Sequence, residues 1–203
     1  MYTKRLPRMI HQLKITLRSI KPPIWRRIRV PDSISLYQLH GVLQTVMGWS
    51  NRHLHHFVVG AGDSRAIFSY PYPGSDWEDT DEINETPIRL AQITPGWNPT
   101  FVYEYDFGDG WIHDVVVEEK FLIEPGDSVD PICLEGARAC PPEDVGGPGR
   151  YRHFLDALAD TKNPEHDQVM AWIGRPFDPE AFDLAAVNAA LHALTARTRQ
   201  KHG

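Results

Sequence analysis

The chain has 203 residues, 41% of them apolar and 24% charged, with a formal net charge of −6. That is the length of one domain, enough to remove roughly 70% of the unfolded chain's surface from water, and the composition excludes a disordered or fibrous protein. With no apolar run near the roughly 20 residues of a bilayer-spanning helix, no secretory signal in Met1–Ile10 and only Cys133 and Cys140 as cysteines, a cytoplasmic protein with no membrane partner is expected.

The first 31 residues carry nine bases and no acid, leaving 12 bases against 27 acids in the rest. Such a basic arm attracts phosphate or an acidic partner, with Arg26, Arg27 and Arg29 as candidate nucleic-acid contacts. The plainer reading is that these bases pair with the acidic remainder of the same molecule. Leu13, Ile15 and Leu17 alternate with polar residues, then Pro22-Pro23 breaks the pattern. Ile24, Ile28 and Val30 resume it with Trp25, Arg27 and Arg29 opposite, which predicts two antiparallel strands around a proline turn. Trp25 belongs either to the core or to a stacking surface.

Ser35 and Gln38 fit a capping box opening a helix over 35–47, with Leu36, Leu39, Leu43, Val46 and Met47 on one face and Gly48 as its left-handed stop. Residues 54–59 and 66–70 read as short strands. The loop 71–85 holds Asp76, Glu78, Asp79, Asp81, Glu82 and Glu85, which repel one another and predict a solvated, mobile segment without a calcium-loop spacing. Phe101, Tyr103, Tyr105 and Phe107 alternate with polar residues in the strongest strand of the chain. Gly108-Asp109-Gly110 turns it, and Trp111, His113, Val115 and Val117 share one face of the returning strand. Residues 125–149, rich in Pro and Gly, read as a structured loop or as cover for a sheet edge. Helical spacing follows at Tyr151, Phe154, Leu155 and Leu158, then at Val169, Met170 and Ile173 before Gly174. A last helix capped by Asp183 turns Leu184, Val187, Leu191 and Leu194 inward.

The expectation is one α+β domain over 1–203. A mixed, mainly antiparallel sheet of five to seven strands with a β-grasp-like start comes from 11–123, which includes the helix at 35–47. A Pro/Gly-rich loop fills 124–149, and three helices occupy 150–196.

Four groups of residues carry a resemblance. They are Lys21-Pro-Pro-Ile-Trp-Arg-Arg-Ile28 with Leu39-His40 through Trp49 and His53-Leu-His-His-Phe57; Tyr103-Glu-Tyr-Asp-Phe-Gly-Asp-Gly-Trp-Ile-His113; Gly136-Ala-Arg-Ala-Cys-Pro-Pro-Glu-Asp144 with Gly146-Gly147; and Phe177-Asp-Pro-Glu-Ala-Phe-Asp183 before Val187-Asn188. Together they resemble the family named after the third open reading frame of a root-inducing plasmid, also labelled passenger TnpR proteins of an insertion element, over about residues 11–194. The resemblance implies a compact α+β domain and an association with plasmids or mobile elements, and it names no reaction. Many relatives have a cysteine straight after Pro-Pro-Glu-Asp; Val145 stands there in this chain, so a three-cysteine metal arrangement is incomplete. Literal resolvase chemistry is unsupported by the residues, because the chain has no His-x-x-Arg and its only early serine beside an arginine, Ser19, lacks the rest of such a motif.

His53 and His55 fall on one face of a strand and, with His113 and Cys140, are candidate metal ligands, without a recognised zinc spacing. The alternative is that the histidines hydrogen-bond to their neighbours and the cysteines are small buried hydrophobes. Asp106, Asp109 and Asp114 surround one hairpin, with Glu143 and Asp144 near, a set that would hold magnesium or share acid/base work. Turn geometry alone accounts for Asp109, and Asp106 and Asp114 would cap the ends of the hairpin or pair with Arg26 or Arg138. Gly146-Gly-Pro-Gly149 before a helix would hold an anion, but lacks a P-loop lysine. The combined expectation is that His55, Asp106, Asp109, Trp111, His113, Arg138, Glu143 and Asp144 line one polar surface, with the Arg138 fork on one of the carboxylates. Otherwise the same cluster only staples the Pro-rich loop to the sheet. The favoured function is a non-catalytic binding or adaptor module for a protein partner. The alternatives are a nucleic-acid-associated protein and a metal-dependent enzyme using zinc or magnesium; no resident cofactor is expected.

Overall fold

Two stretches of alternating apolar residues open the chain, and each buries its apolar set on the same side. They are β1 (Met9–Leu17) and β2 (Trp25–Pro31), paired antiparallel from Thr16 opposite Trp25 to Ile10 opposite Pro31. The computed structural model describes residues 9–72, 80–124, 126 and 128–200. Lys4, Arg5 and Arg8 of the basic segment and Asp76, Glu78 and Asp79 of the acidic loop lie outside the described residues.

Helix α1 (Leu36–Met47) follows, with the expected capping box. The Ser35 hydroxyl accepts from the Gln38 amide at 3.2 Å, and the Gln38 side-chain oxygen accepts from the Ser35 amide at 3.0 Å. Gly48 ends it at φ +87°, a conformation costly for a residue with a Cβ. Then come β3 (His55–Val59), β4 (Ala66–Ser69), β5 (Ile83–Asn84), the short helix α2 (Leu90–Ile93), β6 (Thr100–Tyr105), β7 (Trp111–Leu122), β8 (Ile132–Ala137), α3 (Gly147–Ala159), α4 (His166–Ile173) and α5 (Leu184–Gln200).

One sheet runs in the order β5-β4-β3-β6-β7-β1-β2-β8, antiparallel throughout except for the β4–β5 pair. Residues 9–122 supply seven of its eight strands, within the five to seven expected of 11–123, and two of the eight have no counterpart among the alternating stretches. The additions are the two-residue β5, inside the acidic loop, and β8, inside the Pro/Gly-rich segment. β8 pairs with β2, so that segment does cover a sheet edge, but with a strand rather than a loop. The strand–strand–helix–strand–strand order of a β-grasp start is present, with β7 and β6 lying between β1 and β3. β1 is an interior strand and makes its longest pairing with β7, from Met9 opposite Leu122 to Leu17 opposite His113.

The buried faces of the strands and the apolar face of α1 form one cluster, which includes Leu13, Ile28, Leu39, Leu43, Phe57, Tyr103 and Trp111 and extends to Leu191 of α5. α5 packs on α1 and β8. The opposite sheet face alternates part-exposed residues in period two, among them Lys14, Trp25, Arg27, Glu104 and Asp114. On it Arg18 bonds Asp114, and Arg27 bonds both Glu118 and Glu135.

Three expectations need correction. Phe107 lies past the end of β6 and is exposed, because Asp106 already turns the chain. Glu85 is not solvated: its backbone amide donates to Ser69 O, which draws the carboxyl to 0% exposure. Met170 and Leu184 are exposed, their helices turning other residues inward. Among the described residues no helix is long and apolar enough to cross a membrane.

Candidate functional site

The β6–β7 turn supplies the first part of the site. Asp106 sits at φ +58°, where its short side chain can satisfy nearby backbone. Its Oδ1 accepts from the amides of Gly108 at 3.0 Å and Asp109 at 3.2 Å. Oδ2 is left on the side of His53. The second part is the segment 141–145, tied down where Trp49 Nε1 donates to Pro141 O at 3.0 Å. Glu143 Oε1 accepts from the Ser50 amide at 2.7 Å and the Ser50 hydroxyl at 3.0 Å, and the Tyr105 hydroxyl donates to both Glu143 oxygens at 3.2 and 3.3 Å. Burial, then the Glu143 charge, push the Tyr105 pKa up to about 12, so it stays a donor. Asp144, at φ +61°, points back beside it.

These carboxylates converge on His53, just before β3. Its Nε2 lies 3.0 Å from Asp144 Oδ1, 3.6 Å from Asp106 Oδ2 and 3.7 Å from Glu143 Oε2. Nε2 is shielded from solvent and makes no hydrogen bond. Two of the separations exceed hydrogen-bond range. They are close instead to the spacing of donors around a common cation: bonds of about 2.0–2.2 Å place neighbouring ligands about 3.0–3.5 Å apart. One ligand atom each from His53, Asp106 and Asp144 lies within 4.8 Å of the others.

Beside this cluster the core holds a second polar network, in which His55 Nδ1 is buried without a hydrogen-bond partner. Gln44 Nε2 donates to the Tyr103 hydroxyl at 2.9 Å, and that hydroxyl is 2.8 Å from His40 Nδ1. His40 Nε2 is 2.7 Å from Asn51 Oδ1. The pattern closes if Tyr103 donates to Nδ1 and the proton of His40 is on Nε2. The His55 ring stacks on His40 at 3.4 Å and 3°. Its Nε2 faces the Glu85 carboxyl at 3.0 and 3.1 Å. Burial lowers the pKa of His40 and of His55 to about 3 and raises that of Glu85 to about 8, so each is neutral near pH 7.

Of the eight residues expected on one polar surface, Asp106, Glu143 and Asp144 meet, and His53 completes the group. Asp109 lies alongside, its Oδ2 accepting from the Gly146 amide at the start of α3 at 2.9 Å. His55, Trp111 and His113 are buried beneath, 2%, 1% and 0% exposed, and reach no common surface with the acids. They are large or aromatic groups on the inward phase of their strands. Arg138 also departs from expectation: its guanidinium pairs with Glu180 and donates to Pro22 O, not to any of the four acids. Asp114, on the open sheet face, pairs with Arg18 rather than with Arg26 or Arg138.

Cys140 is no ligand of the cluster: its sulfur lies against Met47 Sδ and the Arg26 guanidinium, and burial pushes its pKa to about 11. Arg26, expected to face nucleic acid, is 3% exposed and donates to the carbonyls of Trp25, Val46, Ala137 and Arg138. Arg27 pairs with Glu118 and Glu135, and Arg29 donates to Gln12 and lies over the Phe121 ring. Trp25 is half-buried on the open face, under Lys14 and Arg27. From the sequence Tyr105 reads only as a strand residue and Glu85 only as a loop acid, and Ser50 carries no signal. A tyrosine ending an aromatic strand beside an acid-bearing turn is the one local signal that pointed at Tyr105.

The chain is similar to other proteins over nearly its whole length. The family described as "Plasmid pRiA4b ORF-3-like protein" matches residues 9–186. An "Uncharacterized protein y4hQ" of Sinorhizobium fredii (strain NBRC 101917 / NGR234) is 36% identical over 191 residues, 94% of either chain. The crystal structure of a "Protein of Unknown Function MM3350" from Methanosarcina mazei Go1 superposes with a TM-score of 0.78 at 32% identity, covering 89% of this chain and 98% of the other.

Proposed function

The chain belongs to the plasmid pRiA4b ORF-3-like family, and from that premise we propose that it is a binding module built around one divalent cation. His53 Nε2, Asp106 Oδ2 and Asp144 Oδ1 are its ligands, and Glu143, held by Ser50 and Tyr105, borders the site 3.7 Å from His53 Nε2. The observation that carries this is the shielded, unbonded His53 Nε2 beside the Asp106 and Asp144 carboxylates, one ligand atom of each lying within 4.8 Å of the others. One imidazole with carboxylates suits zinc or manganese better than the larger, all-oxygen calcium. An association with plasmids or mobile elements rests on the family's name. The nucleic-acid alternative loses support from the arginines, whose donors are largely engaged within the protein.

The test is calorimetric titration of untagged protein with MnCl2 and ZnCl2. The expected result is one site per chain, weakened at least about tenfold by His53→Ala and by Asp106→Asn with the circular dichroism spectrum unchanged. Equal heats from the parent and a His53→Ala/Asp106→Asn double variant would overturn the reading.

A further inference from the structure

Asp144 faces two ways. Besides joining the His53 cluster, it lines a cleft of about 450 Å³ whose other walls come from α3 and α4. That volume is in the range of small-ligand sites. The cleft carries Arg150 and His153 from α3, Gln168 and Trp172 from α4, and Glu165 just before α4. Arg150 has no hydrogen-bond or ion-pair partner among the described residues. Its aliphatic stem is nevertheless seated: it lies so close over Gly146 that a Cβ there would collide with its Cδ. Arg150 is exposed, and a guanidinium in the cleft with no carboxylate on it is a fork open to an anion. Trp172 is 48% exposed, supported edge-to-face by Phe154 at 5.8 Å and 76°. An indole exposed to that extent in a cleft is a stacking platform for a flat ring. Glu165 and Gln168 offer oxygens and an amide to hydroxyl groups.

We propose that this cleft binds a nucleoside monophosphate, its phosphate bridging the cation at the His53 cluster and the Arg150 guanidinium, its sugar hydroxyls on Glu165 and Gln168, and its base on Trp172. The proposal rests on the cation reading above. The two acids of the cleft, Asp144 and Glu165, oppose a free anion, so the cation makes phosphate binding favourable at the Asp144 end.

The experiment follows tryptophan fluorescence and calorimetry as the manganese-loaded full chain is titrated with adenosine monophosphate, adenosine and inorganic phosphate. The monophosphate is expected to bind at least about tenfold more tightly than either fragment, and to lose about tenfold when manganese is removed by chelation. Arg150→Ala is expected to weaken it about tenfold while manganese affinity stays within about twofold. Trp172→Leu should abolish the preference for the monophosphate over phosphate. If manganese binds but the monophosphate is held no better than phosphate, or equally well without manganese, the nucleotide proposal falls and the cation site stands. If manganese does not bind at all, both fall.

Discussion

Replacing Glu85 by glutamine tests the buried network most directly. Glu85 is 0% exposed, and its carboxyl faces His55 Nε2 at 3.0 and 3.1 Å. Burial raises its pKa from 4.5 to about 8, while burial and the neighbouring His56 lower His55 to about 3. Between those two Glu85 values the folded protein keeps a proton that the unfolded chain releases. The stability this group allows is therefore fully present below pH 4.5 and is lost as pH rises toward 8, at about 1.4 kcal/mol per pH unit. By pH 7 the loss is about 3 kcal/mol. Glutamine keeps the shape and an oxygen for the His55 N–H, and does not titrate. Glu85→Gln is thus expected to exceed the parent by about 3 kcal/mol at pH 7, or roughly 6–12 °C in melting temperature for a chain of this length. The gain should shrink to nothing near pH 4.5. Urea unfolding of both proteins across pH 4.5–8 reads it out. A destabilised variant at pH 7 would mean that Glu85 and His55 form a buried ion pair, and a gap that does not change with pH would remove the burial argument altogether.

The histidines act in the opposite pH direction. Burial lowers His11 and His113 to about 4 and His40 and His55 to about 3, so the unfolded chain takes up protons below about 6.5 that the fold refuses, and stability falls as pH drops through this window; proton uptake of one or fewer on acid unfolding would contradict it. Arg26→Met should cost at least about 3 kcal/mol by leaving buried carbonyls without donors; a melting temperature equal to the parent's would show that water replaces the guanidinium. Asp109→Ala removes the acceptor for the Gly146 amide and should cost about 1 kcal/mol, lowering the melting temperature by roughly 2–4 °C with manganese affinity unchanged. Lost manganese binding with unchanged melting would make Asp109 a ligand instead.

Period-two alternation made β1, β6 and β7 legible, because each has one phase against the core, and the caps of α1 were readable from Ser35, Gln38 and Gly48 alone. β8 was hidden because Ile132–Ala137 mixes Gly, Glu and Cys and owes its form to the edge of β2. Arg26 misled for a similar reason: a charge on the inward phase of a strand is tolerable only with carbonyls brought from residues 46, 137 and 138, which no local pattern announces. The acids of the candidate site stood out in the sequence, but their meeting point did not. His53 shares its neighbourhood with two other histidines, and only the turn before β3 separates it from the strand that buries His55.

The interior position of β1, between β2 and β7, has a consequence in time. One edge of β1 is satisfied by β2 within a few residues, but the other waits for β7, about 100 residues later in the chain. At roughly 5–20 residues per second of synthesis, that edge stays open for about 5–20 s. During that interval the emerging hairpin offers a row of unpaired amides and carbonyls next to Leu13, Ile15 and Leu17, the arrangement most prone to pairing with a foreign strand. The arrival of residues 113–122 is therefore the event that ends the nascent chain's exposure to aggregation, and substitutions that weaken β7 should lower the yield of soluble protein more than their effect on the finished fold.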